Sequence, residues 1–213
     1  MIADQWPLFG LVLHTPRLEL RVPGLDRLAE LAELAAAGVH DPAVQPFVVE
    51  WTDAPPERVA ASVLKWQWRS WAGWLPENWS LNFVAIADGR VVGTQGLDAE
   101  RFATLREVGT GSWLGRAEQG RGLGTEMRAA VLELAFAGLG AEFATSEAFE
   151  DNHASYAVSR KLGYADDGIA RHVVRDSAVT GRRLRLDREG WEKARTVPVR
   201  IDGLAPCLPM FGL

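Results

Sequence analysis

The 213-residue sequence holds one cysteine, Cys207, so internal disulfides are excluded and no cysteine-based metal cluster can form. Its four histidines, His14, His40, His153 and His172, are scattered without the short spacings of metal ligands. No apolar run is long enough to span a membrane. The N-terminus lacks the basic stretch and apolar core of a secretion signal. A basic excess is missing too: the net charge of −5 offers no footprint for nucleic acid or an anionic membrane. Lysine is scarce, with only Lys65, Lys161 and Lys193, so arginine carries nearly all of the positive charge. No internal repeat or linker divides the chain. These absences point to a cytoplasmic protein with a single domain over 1–213, its core at about 14–187 between two apolar extensions.

What is present is a readable alternation of periods. Leu18, Leu20 and Val22 alternate with charged residues as a half-buried first strand. Leu25 to Ala37 has helical spacing and stops at Gly38, and Pro55-Pro56 opens a second helix reaching about Ala72. Leu81 to Ala87 and Arg90 to Leu97 are strands joined at Asp88-Gly89, a strong hairpin signal, and Glu107 to Leu114 is another strand. Leu123, Met127, Ala130, Val131, Leu134 and Ala135 form one helical stripe. Phe143 to Ala148 returns as a strand, Asn152 to Leu162 is a short helix, and Tyr164 to Val174 and Arg182 to Asp187 close as strands. The order predicts an α/β (mixed α+β) fold with helices packed on a mixed sheet.

The most chemically telling segment is Gln119-Gly120-Arg121-Gly122-Leu123-Gly124-Thr125, between a strand and a helix. A helix N-terminus presents unpaired amide donors and partial positive charge, and glycines let the backbone approach an anion closely. The loop therefore reads as a pyrophosphate cradle. It is not a Walker A loop, because no lysine closes it, and not a dinucleotide fingerprint, because Thr125 stands where the third glycine belongs.

Here the sequence resembles the GNAT acyl-CoA-dependent N-acyltransferases, in the branch of the RimJ/RimL-like ribosomal-protein acetyltransferases. That family's pyrophosphate motif, Q/R-x-x-G-x-G/A, stands as Gln119 to Gly124. The branch signature N-x-x-S-x-x-V-x-x-K-L-G-Y/F is matched by Asn152, Ser155, Val158, Lys161, Leu162, Gly163 and Tyr164. Thr15-Pro16-Arg17-Leu18 resembles the branch's first strand, and Gly111-Ser112-Trp113-Leu114 its strand before the cradle. The ends and the loop Gly38 to Pro42 look like a bacterial subgroup described as succinyl-CoA transferases. The resemblance implies the GNAT fold: a mixed, mostly antiparallel sheet of six to seven strands flanked by four or more helices.

It also implies roles. The cofactor-binding set is Trp113, Leu114, Gln119, Gly120, Arg121, Gly122, Leu123, Gly124, Thr125, Asn152, Ser155 and Lys161, holding acyl-CoA (succinyl-CoA or acetyl-CoA) as co-substrate without a metal. The catalytic candidates are Ser155, Asn152 and Glu107. Ser155 is placed to act on the leaving thiolate, or else to cap its helix. Many members use a tyrosine seven residues after the motif asparagine, and that position is Ser159. The family's strand glutamate falls on Gly109, so Glu107, Glu147 and His153 are the substitutes for a base, with a surface salt bridge the competing role for Glu107.

On the acceptor side the candidates are His40, whose neighbour Asp41 would keep it partly protonated toward a succinyl carboxylate, with Trp51 and Trp79. Trp79 closes a run of five tryptophans that begins at Trp66, read as sheet cover, oligomer contact or pocket wall. The expected function is acyl transfer from CoA to the primary amine of a small molecule or peptide. The competing class is a non-catalytic acyl-CoA-binding protein of the same fold. The apolar ends, Trp6 to Leu13 and Pro206 to Leu213, need cover from each other or from a second subunit, which points to a homo-oligomer.

Overall fold

The computed structural model describes residues 1–213. Helix α1 (Ile2–Gln5) and a 3-10 turn (Pro7–Gly10) lead into β1 (Val12–His14) and β2 (Glu19–Arg21). Helix α2 (Leu25–Ala36) buries Leu28, Leu31, Ala32 and Ala35, the expected stripe, and α3 (Pro56–Ala72) starts on proline and buries Val59, Val63 and Gln67. Strands β3 (Asn78–Ala87) and β4 (Arg90–Glu100) form the expected hairpin, with Asp88 and Gly89 both at positive φ. Then come α4 (Phe102–Leu105), β5 (Glu107–Leu114), α5 (Leu123–Glu133) with a π turn at Leu134–Gly138, β6 (Phe143–Phe149) and α6 (His153–Lys161). Strands β7 (Ala165–Val174) and β8 (Ser177–Asp187), helix α7 (Arg188–Ala194), β9 (Arg200–Asp202) and a 3-10 turn (Ala205–Phe211) complete the chain.

All nine strands join one sheet, ordered β7-β8-β6-β5-β4-β3-β2-β1-β9, antiparallel except for β5 with β6. Helices pack on both faces around β3, whose stretch Phe83–Ile86 is buried on both sides and reads as a continuous apolar run. In β3, Phe83 and Ala85 face the large core with α5, while Val84 and Ile86 face α2 and α3.

The sheet has two more strands than the upper expectation, β1 and β9, three residues each and too short to show a period. They pair antiparallel, Leu13 opposite Ile201, and so extend the sheet at one edge. The C-terminal turn follows them inward: Phe211 is fully buried against Trp74 and Trp79, and Trp74 Nε1 donates to the Met210 carbonyl at 2.9 Å. The two apolar ends therefore cover each other, and their burial needs no second subunit. Strand β8 also begins earlier than expected, because the β7–β8 turn is made by Arg175 and Asp176 at positive φ without a glycine to mark it.

Candidate active site

Strands β5 and β6 pair in parallel over only three residues, Glu107 to Gly109 against Phe143 to Thr145. Beyond that point they separate, although β5 runs on to Leu114 and β6 to Phe149. Side chains begin to take up the freed carbonyls: Thr110 Oγ1 donates to the Thr145 carbonyl at 3.1 Å. Helix α6 packs beside the opening, and α5 starts just after β5 ends.

The start of α5 leaves backbone amides without a side-chain cap. Gly120 and Gly122 sit at φ +74° and +80°, a region L side chains rarely adopt, and Gly122 is the N-cap with no side-chain cap on the free amides. Gln119 Nε2 donates to the carbonyls of Val39 (2.6 Å) and Leu114 (3.1 Å), so its side chain pins the loop rather than facing a ligand. Arg121 is exposed, with its guanidinium on Glu118. Behind the loop, buried Glu126 accepts from Thr15 Oγ1 (2.6 Å), Arg17 N (2.9 Å) and Arg17 Nε (2.6 Å), and Arg17 Nη1 donates to the Arg121 carbonyl. Burial opposes ionisation of Glu126, but the hydrogen bonds from Thr15 and Arg17 outweigh it and hold the carboxyl below its ordinary value.

At α6, Asn152 is the N-cap and its Oδ1 accepts from Ser155 N at 3.1 Å. Ser155 therefore supplies the backbone donor of the cap, while its half-buried hydroxyl has no hydrogen-bond partner in the chain.

On the face toward α2 and α3 the sheet is paved with glycines. Gly96 and Gly111 are cross-strand partners, and a Cβ on Gly111 would meet open space. Asp98 on β4 lies opposite Gly109, where a Cβ would sit 2.6 Å from Asp98 Oδ2. The Asp98 carboxylate has taken the space of the missing side chain. Asp98 keeps exposed surface, but the protein packed around its carboxyl raises its pKa above the ordinary value, and it has no ion-pair partner within 4 Å. Trp113 on the same face packs on Trp51, which packs on Phe47, so an aromatic wall from the α2–α3 loop borders β5. Arg175 at the β7–β8 tip clasps that loop by a two-pronged pair with Asp53 at 2.6 Å and a bond to the Pro42 carbonyl.

A family model described as acetyltransferase (GNAT) domain matches residues 17–165. The chain belongs to the GNAT acetyltransferase family. It is therefore an acyltransferase enzyme that draws its acyl group from CoA. Solved GNAT structures share the fold at low identity. Mycobacterium smegmatis RimJ in complex with a CoA disulfide aligns with a TM-score of 0.67 at 18% identity, over 86% of this chain and 90% of that one. The ribosomal L7/L12 α-N-protein acetyltransferase RimL in complex with CoA gives 0.66 at 16%, over 83% and 97%. A GCN5-related N-acetyltransferase from Brucella melitensis gives 0.67 at 21%, over 86% and 81%.

Within this GNAT fold several expected site residues stand elsewhere than the motif implies. Glu107 is ion-paired with Arg185 at 2.7 Å beside the paired end of β5, so it is not a free base. Glu147 is taken by His172, and His153 is exposed at the start of α6. Trp79 is only 2% exposed, stacked on Trp74 against Phe102 and Phe211, and is core rather than acceptor wall. Trp66 and Trp68 are exposed on α3. Lys161 is exposed in the last turn of α6, away from Asn152. His40 does not meet the Asp41 carboxylate: its Nδ1 contacts the Asp41 carbonyl and its Nε2 Thr52 Oγ1, both at 2.8 Å, while Asp41 Oδ1 accepts from Ala43 N. Trp113 and Leu114 lie on the unpaired end of β5, Gly124 packs by Leu114 and Val158 of α6, Asn152 and Ser155 begin α6, and Trp51 packs on Trp113 from the loop. Asp98 was missed because its relation to Gly109 is a matter of strand register.

Proposed function

We propose that this enzyme transfers an acyl group from a CoA thioester to a primary amine by direct attack, with the pantetheine arm along the β5–β6 split and the pyrophosphate at the start of α5. The observation that carries the reading is the split itself, flanked on one face by free amides and the unengaged Ser155 hydroxyl and on the other by the Asp98 carboxylate. Gly120 and Gly122 fit a close anion, since neither has a side chain to block it. Asp98 is the base: a carboxylate with a raised pKa and no fixed partner can take the proton of the acceptor ammonium, directly or through water. Ser155 hydrogen-bonds the departing sulfur. Holding both reactants in the split supplies much of the rate.

The acceptor approaches over the glycine-paved face, beneath Trp51 and beside Trp113, as the amine of a small molecule or a peptide N-terminus. The donor is acetyl-CoA or succinyl-CoA, and no metal takes part. The expected compartment is the cytoplasm, where CoA thioesters are available as donors. A thiol-release assay with acetyl-CoA and succinyl-CoA against a panel of amines tests the reading. Turnover with at least one donor–amine pair is expected, and tight CoA binding without turnover on any amine would leave a binding protein instead.

A further inference from the structure

Arg128 is a buried charge that no opposite charge answers. The other buried ionic side chains, Glu126 and Glu133, are paired with Arg17 and Arg195. Arg128 projects from α5 and donates only to neutral hydroxyls: Nη1 to Ser159 Oγ (2.7 Å) and Ser146 Oγ (3.4 Å), Nη2 to Ser112 Oγ (3.3 Å). Its buried Nε has no partner at all. These serines come from α6, β6 and β5, the three elements that border the split. Burying a cation without a counter-charge is costly, and such groups are kept where a ligand or reaction supplies the missing negative charge.

The hydrogen-bond directions say where that charge would sit. Each serine oxygen accepts from the guanidinium, so its own hydrogen must point elsewhere. Ser159 gives its hydrogen to the Ser155 carbonyl at 3.2 Å, and Ser146 faces the Thr110 carbonyl at 3.5 Å. The hydroxyl of Ser112, three residues past the last β5–β6 pair, makes no other hydrogen bond. The charged groups nearby are otherwise engaged. On α5, Glu126 and Glu133 are paired; on β5, Glu107 is held by Arg185; on β6, Glu147 is held by His172. On α6, Arg160 donates to the Tyr164 carbonyl, and Lys161 is exposed at the far end. Tyr164, which bonds Thr110 at 3.1 Å, is the titratable side chain coupled to the guanidinium, and its burial raises its pKa, which keeps it neutral.

We propose that Arg128 is the positioning cation of the leaving group: it holds Ser112 with its O–H turned into the split, and the pair stabilises the CoA sulfur as a thiolate. The inference rests on the acyl-CoA reading above. In the step, the acceptor nitrogen bonds to the thioester carbon and the C–S bond breaks, its electron pair staying on sulfur. The nitrogen sheds two protons in all: Asp98 takes the first from the ammonium before attack and passes it to water, and the regenerated carboxylate takes the second once the N–C bond has formed. Sulfur thus departs as an anion that needs a cation nearby, not as a thiol that needs a dedicated acid. This also gives Ser159 a role: its small side chain leaves room for the guanidinium and anchors it.

The test is the thiol pKa of CoA bound to the full chain, read from thiolate ultraviolet absorbance across a pH series, with CoA affinity measured by calorimetry. In the wild type, the bound thiol should titrate at least about one pH unit below free CoA, a tenfold gain in thiolate at fixed pH. Arg128→Met should abolish the shift and lower kcat with little change in the acyl-CoA KM, and Arg128→Lys should restore part of both. If Arg128→Met does not fold, Ser112→Ala, which leaves the buried cation in place, should still reduce the shift. Variants that bind CoA and keep the wild-type thiol pKa, whatever their melting temperature, would overturn the proposal alone. A wild type that does not bind CoA would overturn the acyl-CoA reading beneath it.

Discussion

Replacing Asp98 by asparagine removes a charge without changing shape, and the structure sets what should follow. The carboxylate occupies the volume a side chain on Gly109 would need, with Oδ2 at 2.6 Å and Oδ1 at 3.1 Å from the Cβ position. It is held by no cation, so its loss breaks no ion pair. If Asp98 is the base, kcat should fall by about 10²–10⁴-fold, the usual worth of a general base, or roughly 3–5 kcal/mol of barrier. The pH profile carries a second signature. A raised carboxyl pKa puts the acid limb of activity above the ordinary aspartate value of about 3.9, and that limb should vanish in the variant.

The sign for stability runs the other way. A folded-state pKa above the unfolded one means the ionised form is disfavoured by folding, so Asp98 costs stability once pH exceeds both values. Asp98→Asn should therefore melt no lower than wild type at neutral pH while losing activity. Gly109→Ala gives an independent arm: its Cβ must displace the carboxylate, and its effect should not add to that of Asp98→Asn. The measurements are steady-state thiol release from about pH 5 to 10 and thermal melts. An Asp98→Asn enzyme with wild-type kcat and an unchanged acid limb would refute the assignment.

Three further outcomes follow from the same geometry. Gly122→Val forces a β-branched residue to φ +80° at the helix start, so CoA affinity should drop at least tenfold by calorimetry with the far-ultraviolet spectrum retained; unchanged affinity in a folded variant would remove the cradle. Ser155→Ala should lower kcat with little change in acyl-CoA affinity, because Asn152 and not the serine hydroxyl caps α6; a loss of stability with normal turnover would contradict this. Glu126→Ala leaves the Thr15 hydroxyl and the Arg17 amide without their shared acceptor, and should cost about 2–3 kcal/mol in denaturant unfolding, moderated because Arg17 is half exposed, together with weaker CoA binding; full stability would mean that the network is ornamental.

Much of this molecule is legible in its local patterns. The helical stripe from Leu123, the stop at Gly38 and the Asp88-Gly89 turn each express a short-range rule of period or backbone conformation, and each appears where the sequence puts it. The glycine turn before α5 was legible for the same reason, since positive φ at Gly120 and Gly122 is a property of single residues. The tryptophan run was not, because burial on a helix and a following strand depends on what arrives from elsewhere. Trp66 is exposed, whereas Trp79 is buried by Phe211, more than a hundred residues later. Arg128 did carry a signal, as a charge directly after Met127 in an apolar helix, but its meaning depended on three serines from other elements.

By itself, then, the chain's order of residues determined the elements, the glycine-rich start of α5 and the capped helix of Asn152, all set by interactions within a few residues. Only the tertiary structure decided which carboxylate stands at the glycine of β5, which arginine is buried among the serines of β5, β6 and α6, and how the two apolar ends are covered. Those outcomes depend on strand register and on contacts between distant segments. Asp98 meets Gly109 because β4 and β5 pair in one register and not its neighbour, and a shift of one residue would turn that carboxylate to the opposite face of the sheet.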